Sequence, residues 1–75
     1  MAEATFRFYE ELNDFLPPNR RKVDFQCTFK GRESVKDMIE ALGVPHTEVD
    51  LILVNGESVD FNYILRDQDR ISVYP

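Results

Sequence analysis

The 75-residue chain has one cysteine, one histidine, no tryptophan and only three glycines. With Cys27 alone, no intrachain disulfide can form, and a single thiol fits a reducing compartment. His46 has no second histidine and no cysteine at zinc-ligand spacing, so no metal and no cofactor are expected. No apolar run approaches the ~20 residues needed to span a bilayer. The opening Met1-Ala2-Glu3-Ala4 lacks the basic start and apolar stretch of a signal peptide. Together these absences give a cytoplasmic expectation. Positive charge is scarce as well: nine basic residues face fourteen acidic ones, a net charge of −5. That balance opposes non-specific nucleic-acid binding. The one basic cluster, Arg20-Arg21-Lys22, follows Pro17-Pro18 and reads as a solvated loop.

Apolar residues, by contrast, are plentiful. They make up 43% of the chain and include six phenylalanines, enough for a core and against wholesale disorder. A chain this short buries only roughly 60% of the surface its unfolded form exposes. Its net stability is therefore expected at about 3–5 kcal/mol. No repeat, linker or low-complexity tract breaks it, so residues 1–75 read as one domain.

From Thr5 to Tyr9, Phe6 and Phe8 alternate with Thr5 and Arg7, the period of a strand with one buried face. The connection from Glu10 to Asn19 contains Pro17-Pro18, which forbids regular pairing. Leu12, Phe15 and Leu16 are expected to fold it back over the core. Alternation resumes at Val23, Phe25, Cys27 and Phe29, so Cys27 reads as a small buried hydrophobe and not a reactive thiol. Lys30-Gly31-Arg32 turns the chain. Ser34 is a good N-cap with Asp37 three residues on, and Val35, Met38, Ile39 and Leu42 share one helical face. Gly43 suits the left-handed position after a helix, and Pro45 bars continuation. His46 then falls in an exposed loop.

Val49 to Val54 is mostly apolar, and Asn55-Gly56 is a strong hairpin signal. Val59 and Phe61 continue a short strand, and Tyr63-Ile64-Leu65 reads as an irregular apolar crossing. Arg66-Asp67-Gln68-Asp69 turns the chain into a last strand, Arg70 to Tyr74, with Ile71 and Val73 inward. The order is strand, strand, helix, strand, short strand, strand. With the first and last strands adjacent and parallel, the fold class is α+β. It is a β-grasp, with a mixed four- to five-stranded sheet and one helix packed on one face.

Leu53-Val54-Asn55-Gly56, then Val59-Asp60-Phe61, then Leu65 through Pro75 resemble the second half of the ubiquitin-like sulfur carriers. The opening Phe6-Arg7-Phe8-Tyr9-Glu10-Glu11-Leu12-Asn13-Asp14-Phe15-Leu16-Pro17 is closer to one branch, the Mut7-C ubiquitin family. The resemblance implies a ubiquitin-like fold and a role as the N-terminal accessory domain of a nuclease-like, RNA-processing protein. Two departures stand out. Gln68 occupies a turn position that is usually glycine in the carriers. The carriers also continue to a Gly-Gly terminus, whereas the sequence here stops at Pro75, an expectation against carrier activity. The alternative reading is a fragment or degenerate relative of a sulfur carrier.

Three functional classes can be weighed. Asp60, Asp67 and Asp69 could in principle serve acid–base or metal chemistry, but turn aspartates more often bond nearby backbone amides. An enzyme is therefore not expected. The favoured reading is a non-catalytic module that binds a protein partner or a fused nuclease-like domain, with no direct nucleic-acid or membrane contact. If Ile52 and Val54 face the helix, Leu51 and Leu53 face outward, and Arg7 and Tyr74 join them. An apolar patch with aromatic and arginine members has the composition of a protein-binding surface.

Overall fold

The computed structural model describes all 75 residues. Five strands, β1 (Ala2–Phe8), β2 (Phe25–Phe29), β3 (Leu51–Val54), β4 (Glu57–Val59) and β5 (Asp69–Tyr74), form one sheet with a single helix, α1 (Val35–Ala41). The sheet order is β2-β1-β5-β3-β4. β1 and β5 run parallel, with Phe6 opposite Ile71 and Phe8 opposite Val73. The other pairs are antiparallel. First and last strands thus lie side by side at the centre, as in a β-grasp.

One face of the sheet carries the core. Ala4, Phe6 and Phe8 of β1, Ile71 and Val73 of β5, and Ile52 and Val54 of β3 are buried together with Val35, Met38 and Ile39 of the helix. Phe6 and Phe8 stack at 6.0 Å between ring centroids, and Phe25 lies near-parallel beside both. Because side chains alternate along a strand, filling this face with aromatic and branched residues leaves the intervening residues on the other.

The helix is short and is held by its ends. The first backbone N–H groups of an α-helix have no intrahelical acceptor. Here Val35 N–H donates to the Tyr63 carbonyl (2.8 Å) and Lys36 N–H to the Phe61 carbonyl (3.3 Å). Asp37 N–H donates to Ser34 Oγ (3.1 Å), so Ser34 caps as its sequence position implies. The Phe61–Leu65 crossing therefore supplies acceptors that the helix would otherwise lack. At the other end Gly43, at φ 99°, ends the helix. Gly43 N–H bonds Glu40 O and Val44 N–H bonds Ile39 O. This is the paired closure that follows a left-handed residue. A Cβ at Gly43 would sit 3.3 Å from the Phe15 carbonyl oxygen, so space as well as φ favours glycine.

Several boundaries differ from those the pattern suggests. β2 begins at Phe25, and Val23 is 42% exposed. Lys22 adopts φ 58°, and its N–H donates to Asn13 Oδ1 at 2.7 Å, which turns the chain away before the ladder begins. Asn13 is itself buried, and its Nδ2 donates to the carbonyls of Phe8 and Glu10, so one amide pins the whole connection. Leu12 and Leu16 enter the core, but Phe15 remains 43% exposed. Phe61 leaves the sheet after β4 because Asn62 N–H turns back to Asp60 Oδ1 (2.8 Å) and the Phe61 carbonyl serves the helix. No helix is long and apolar enough to cross a membrane.

Candidate functional site

The register fixes what the outer face presents. Ile52 and Val54 are buried opposite Val73 and Ile71, so Leu51 and Leu53 turn outward. Leu53 lies opposite Ser72, and Ser72 opposite Arg7, one row across β3, β5 and β1. Leu51 lies opposite Tyr74 in the next row and is 38% exposed. All four predicted contact residues, Arg7, Leu51, Leu53 and Tyr74, therefore share one face.

Pattern reading missed Tyr9, Asp24, Arg70 and Ser72. Tyr9 follows β1 and stacks on Tyr74, with centroids 4.4 Å apart and rings 9° from parallel. The Arg7 guanidinium carbon lies 5.3 Å from the Tyr9 centroid, a cation–π arrangement. Arg70 Nη2 reaches Asp24 Oδ2 at 2.9 Å, and Arg7 Nη1 lies 3.7 Å from Asp24 Oδ1. These charges surround an open polar cleft of about 230 Å³ that also includes Thr5, Tyr9 and Ser72. The parity of Thr5, Arg7, Tyr9 and of Arg70, Ser72, Tyr74 was available in the sequence. The participation of Asp24, 46 residues from Arg70, was not. Partial burial on this face raises the Tyr74 phenol above its ordinary pKa; Tyr9 adds to the rise and Ser72 opposes it.

The acidic turn residues accept structural hydrogen bonds from backbone and side-chain donors. Asp67 Oδ1 accepts Glu3 N–H at 2.8 Å, tying the last turn to β1. Asp69 is 4% exposed, and its carboxylate accepts from Asn55 Nδ2 (2.9 Å), Tyr63 OH (2.7 Å) and Arg66 N–H (2.9 Å). Desolvation, then the bond to Asp69, raises the Tyr63 phenol. No three His, Cys, Asp or Glu side chains converge as a metal site would require. Cys27 is buried on the core face, and desolvation lifts its thiol pKa more than the Arg20 charge lowers it. His46 is more engaged than a free loop residue. Its Nδ1 contacts the Glu40 carboxylate and its ring meets Phe61 edge-on at 5.4 Å. That hydrogen bond holds the Glu40 carboxyl below its usual range.

One helix packed on a five-stranded mixed sheet with parallel central strands defines a ubiquitin-like β-grasp domain. The chain matches the family model of Mut7-C ubiquitin over residues 1–75 and belongs to that family. The crystal structure of small archaeal modifier protein 1 from Haloferax volcanii superposes with a TM-score of 0.74 at 16% identity, covering 100% of this chain and 98% of that one. A Pyrococcus furiosus protein described as a molybdopterin converting factor, subunit 1, gives a TM-score of 0.74 at 18% identity, with the same coverage. At these identities the likeness speaks for the fold. No curated protein sequence matches the chain.

Proposed function

We propose that this domain is a non-catalytic protein-interaction module, the N-terminal accessory domain of a Mut7-C nuclease-like protein, acting in RNA processing in the cytoplasm. Membership of the Mut7-C ubiquitin family supports the context. The observation that carries the binding role is the outer sheet face, where Leu51, Leu53, Arg7 and the stacked Tyr9–Tyr74 pair are only partly buried. Aromatic, arginine and aliphatic side chains gathered on one partly exposed face match the composition of interface cores. The unpaired Cys27 is consistent with a reducing compartment.

Where the parent reading frame encodes a nuclease-like domain, the test adds that domain to the isotopically labelled one and follows backbone amide shifts. Shifts should gather at Arg7, Leu51, Leu53 and Tyr74. Leu53→Asp combined with Tyr74→Asp should abolish them while leaving the circular dichroism spectrum native. Binding that survives this double change removes the face from consideration. The fold likeness to the Pyrococcus protein favours a second reading, a relative of sulfur carriers. The parent reading frame past residue 75 separates the two: a Gly-Gly stop favours the carrier, and a cysteine-rich ribbon favours the fusion.

A further inference from the structure

We propose that Arg7 and Arg70 form a carboxylate-binding subsite on the outer face, which takes an aspartate or glutamate side chain of a protein partner. The inference rests on the docking role proposed above and names the chemistry of the docked segment.

A guanidinium offers five N–H donors in a planar fork that matches a carboxylate two bonds at a time. Neither arginine uses that fork here. Arg70 makes a single short contact, Nη2 to Asp24 Oδ2 at 2.9 Å, and its side chain is 66% exposed. Arg7 lies 3.7 Å from the other Asp24 oxygen, beyond hydrogen-bond length, and is otherwise held over the Tyr9 ring. Its Nε is closed off from solvent without any acceptor.

Two guanidinium groups thus share one carboxylate, a local excess of one positive charge on a chain whose net charge is −5. Asp24 lies in the segment leading into β2, with its side chain 47% exposed. It occupies the position between the arginines that a partner's carboxylate would take. The hydroxyls of Thr5 and Ser72 line the same cleft and can donate to a second oxygen. Leu53 lies in the same row as Arg7, with Leu51 and the tyrosine pair in the adjacent row. The complementary ligand is therefore an acidic residue flanked by leucine or an aromatic. Long-range repulsion from the remaining acidic surface is screened within about 8 Å at physiological ionic strength, so a short acidic segment can approach.

The experiment titrates the labelled domain with two end-blocked five-residue peptides. One reads leucine, glutamate, leucine, aspartate, tyrosine; the other carries glutamine and asparagine in place of the two acids. The acidic peptide should shift the Nε–Hε resonances of Arg7 and Arg70 and bind about tenfold tighter than its amide counterpart. Arg7→Gln with Arg70→Gln should level the two affinities. Asp24→Asn, which removes the internal competitor, should strengthen the acidic peptide further, with native amide dispersion confirming the fold. Equal affinity for both peptides overturns the subsite, as does weaker acidic binding by Asp24→Asn, or no shift from either peptide at millimolar concentration. If both bind equally through Leu53 and Tyr74, the docking face stands and only the carboxylate preference falls.

Discussion

At the scale of single residues, Asp69 does the most. A buried carboxylate is costly unless it is fully hydrogen-bonded, and this one receives a side-chain amide, a phenol and a backbone N–H. Those donors come from the β3–β4 turn, the crossing and the last turn, so one side chain joins three separate segments. Asp69→Ala leaves Asn55 Nδ2, Tyr63 OH and Arg66 N–H without their acceptor, at a cost of about 2–4 kcal/mol. Against a total of about 3–5 kcal/mol for a domain this small, the variant should lose roughly half of its stability or more. Urea denaturation of Asp69→Ala beside Asp67→Ala makes the comparison. Asp67 accepts only from the exposed Glu3 N–H and the exposed Gln68 side-chain amide, donors that water can satisfy, and its loss should cost about 1 kcal/mol. Equal losses would refute the assignment.

At the scale of elements, the turns carry the departures from ideal chemistry. The β3–β4 hairpin uses Asn55 at φ 52° and Gly56 at φ 86°, the two left-handed residues that a tight hairpin matches to strand twist. Asn55 also accepts Arg70 N–H at 2.9 Å, which locks the hairpin to β5. The turn before β5 is less well adapted, since Gln68 sits at φ 71°. Left-handed backbone costs a residue with a Cβ roughly 1–2 kcal/mol, partly offset against glycine's greater unfolded-state freedom. Gln68→Gly should therefore stabilise the domain by about 0.5–1 kcal/mol, and Gln68→Val should destabilise it by about 1 kcal/mol or more. Urea midpoints for the three proteins check this, and a destabilised glycine variant would show that the Gln68 side chain, which contacts Asp67, outweighs the strain.

At the scale of the whole molecule, the two faces of the sheet divide the work. The inner face, closed by α1, holds the fold together, and the outer face carries the groups proposed to meet a partner. Cys27 lies on the inner face of the edge strand β2 and reports on that division. Its thiol should react with a disulfide reagent only as fast as β2 opens. In native buffer the rate should fall orders of magnitude below that of the unfolded chain, and urea should restore it. Rapid native labelling would mean that the β2 edge frays independently of the core.

How much of this was legible in the sequence depends on the range of each interaction. Alternation at Phe6 and Phe8, the Ser34 cap, the Gly43 stop and the Asn55-Gly56 turn are decided by neighbours a few residues apart. Strand and helix identity followed from them, and so did the β-grasp order. The outward parity of Arg7, Leu51, Leu53 and Tyr74 was readable for the same reason, once one register was chosen. Where β2 begins was not legible, because Asn13 decides it from nine residues away. The early exit of Phe61 belongs to the helix N-terminus, whose unpaired N–H groups it helps satisfy. The union of Asp24 with Arg7 and Arg70, and the burial of Asp69 among three donors, arise only when distant strands are brought into one sheet. Within the strands, local alternation determined the inward parity of Phe6, Phe8, Ile71 and Val73. Only the tertiary structure decided which charges meet, because side-chain period acts along a strand while charge pairing acts across strands that the chain order does not place together.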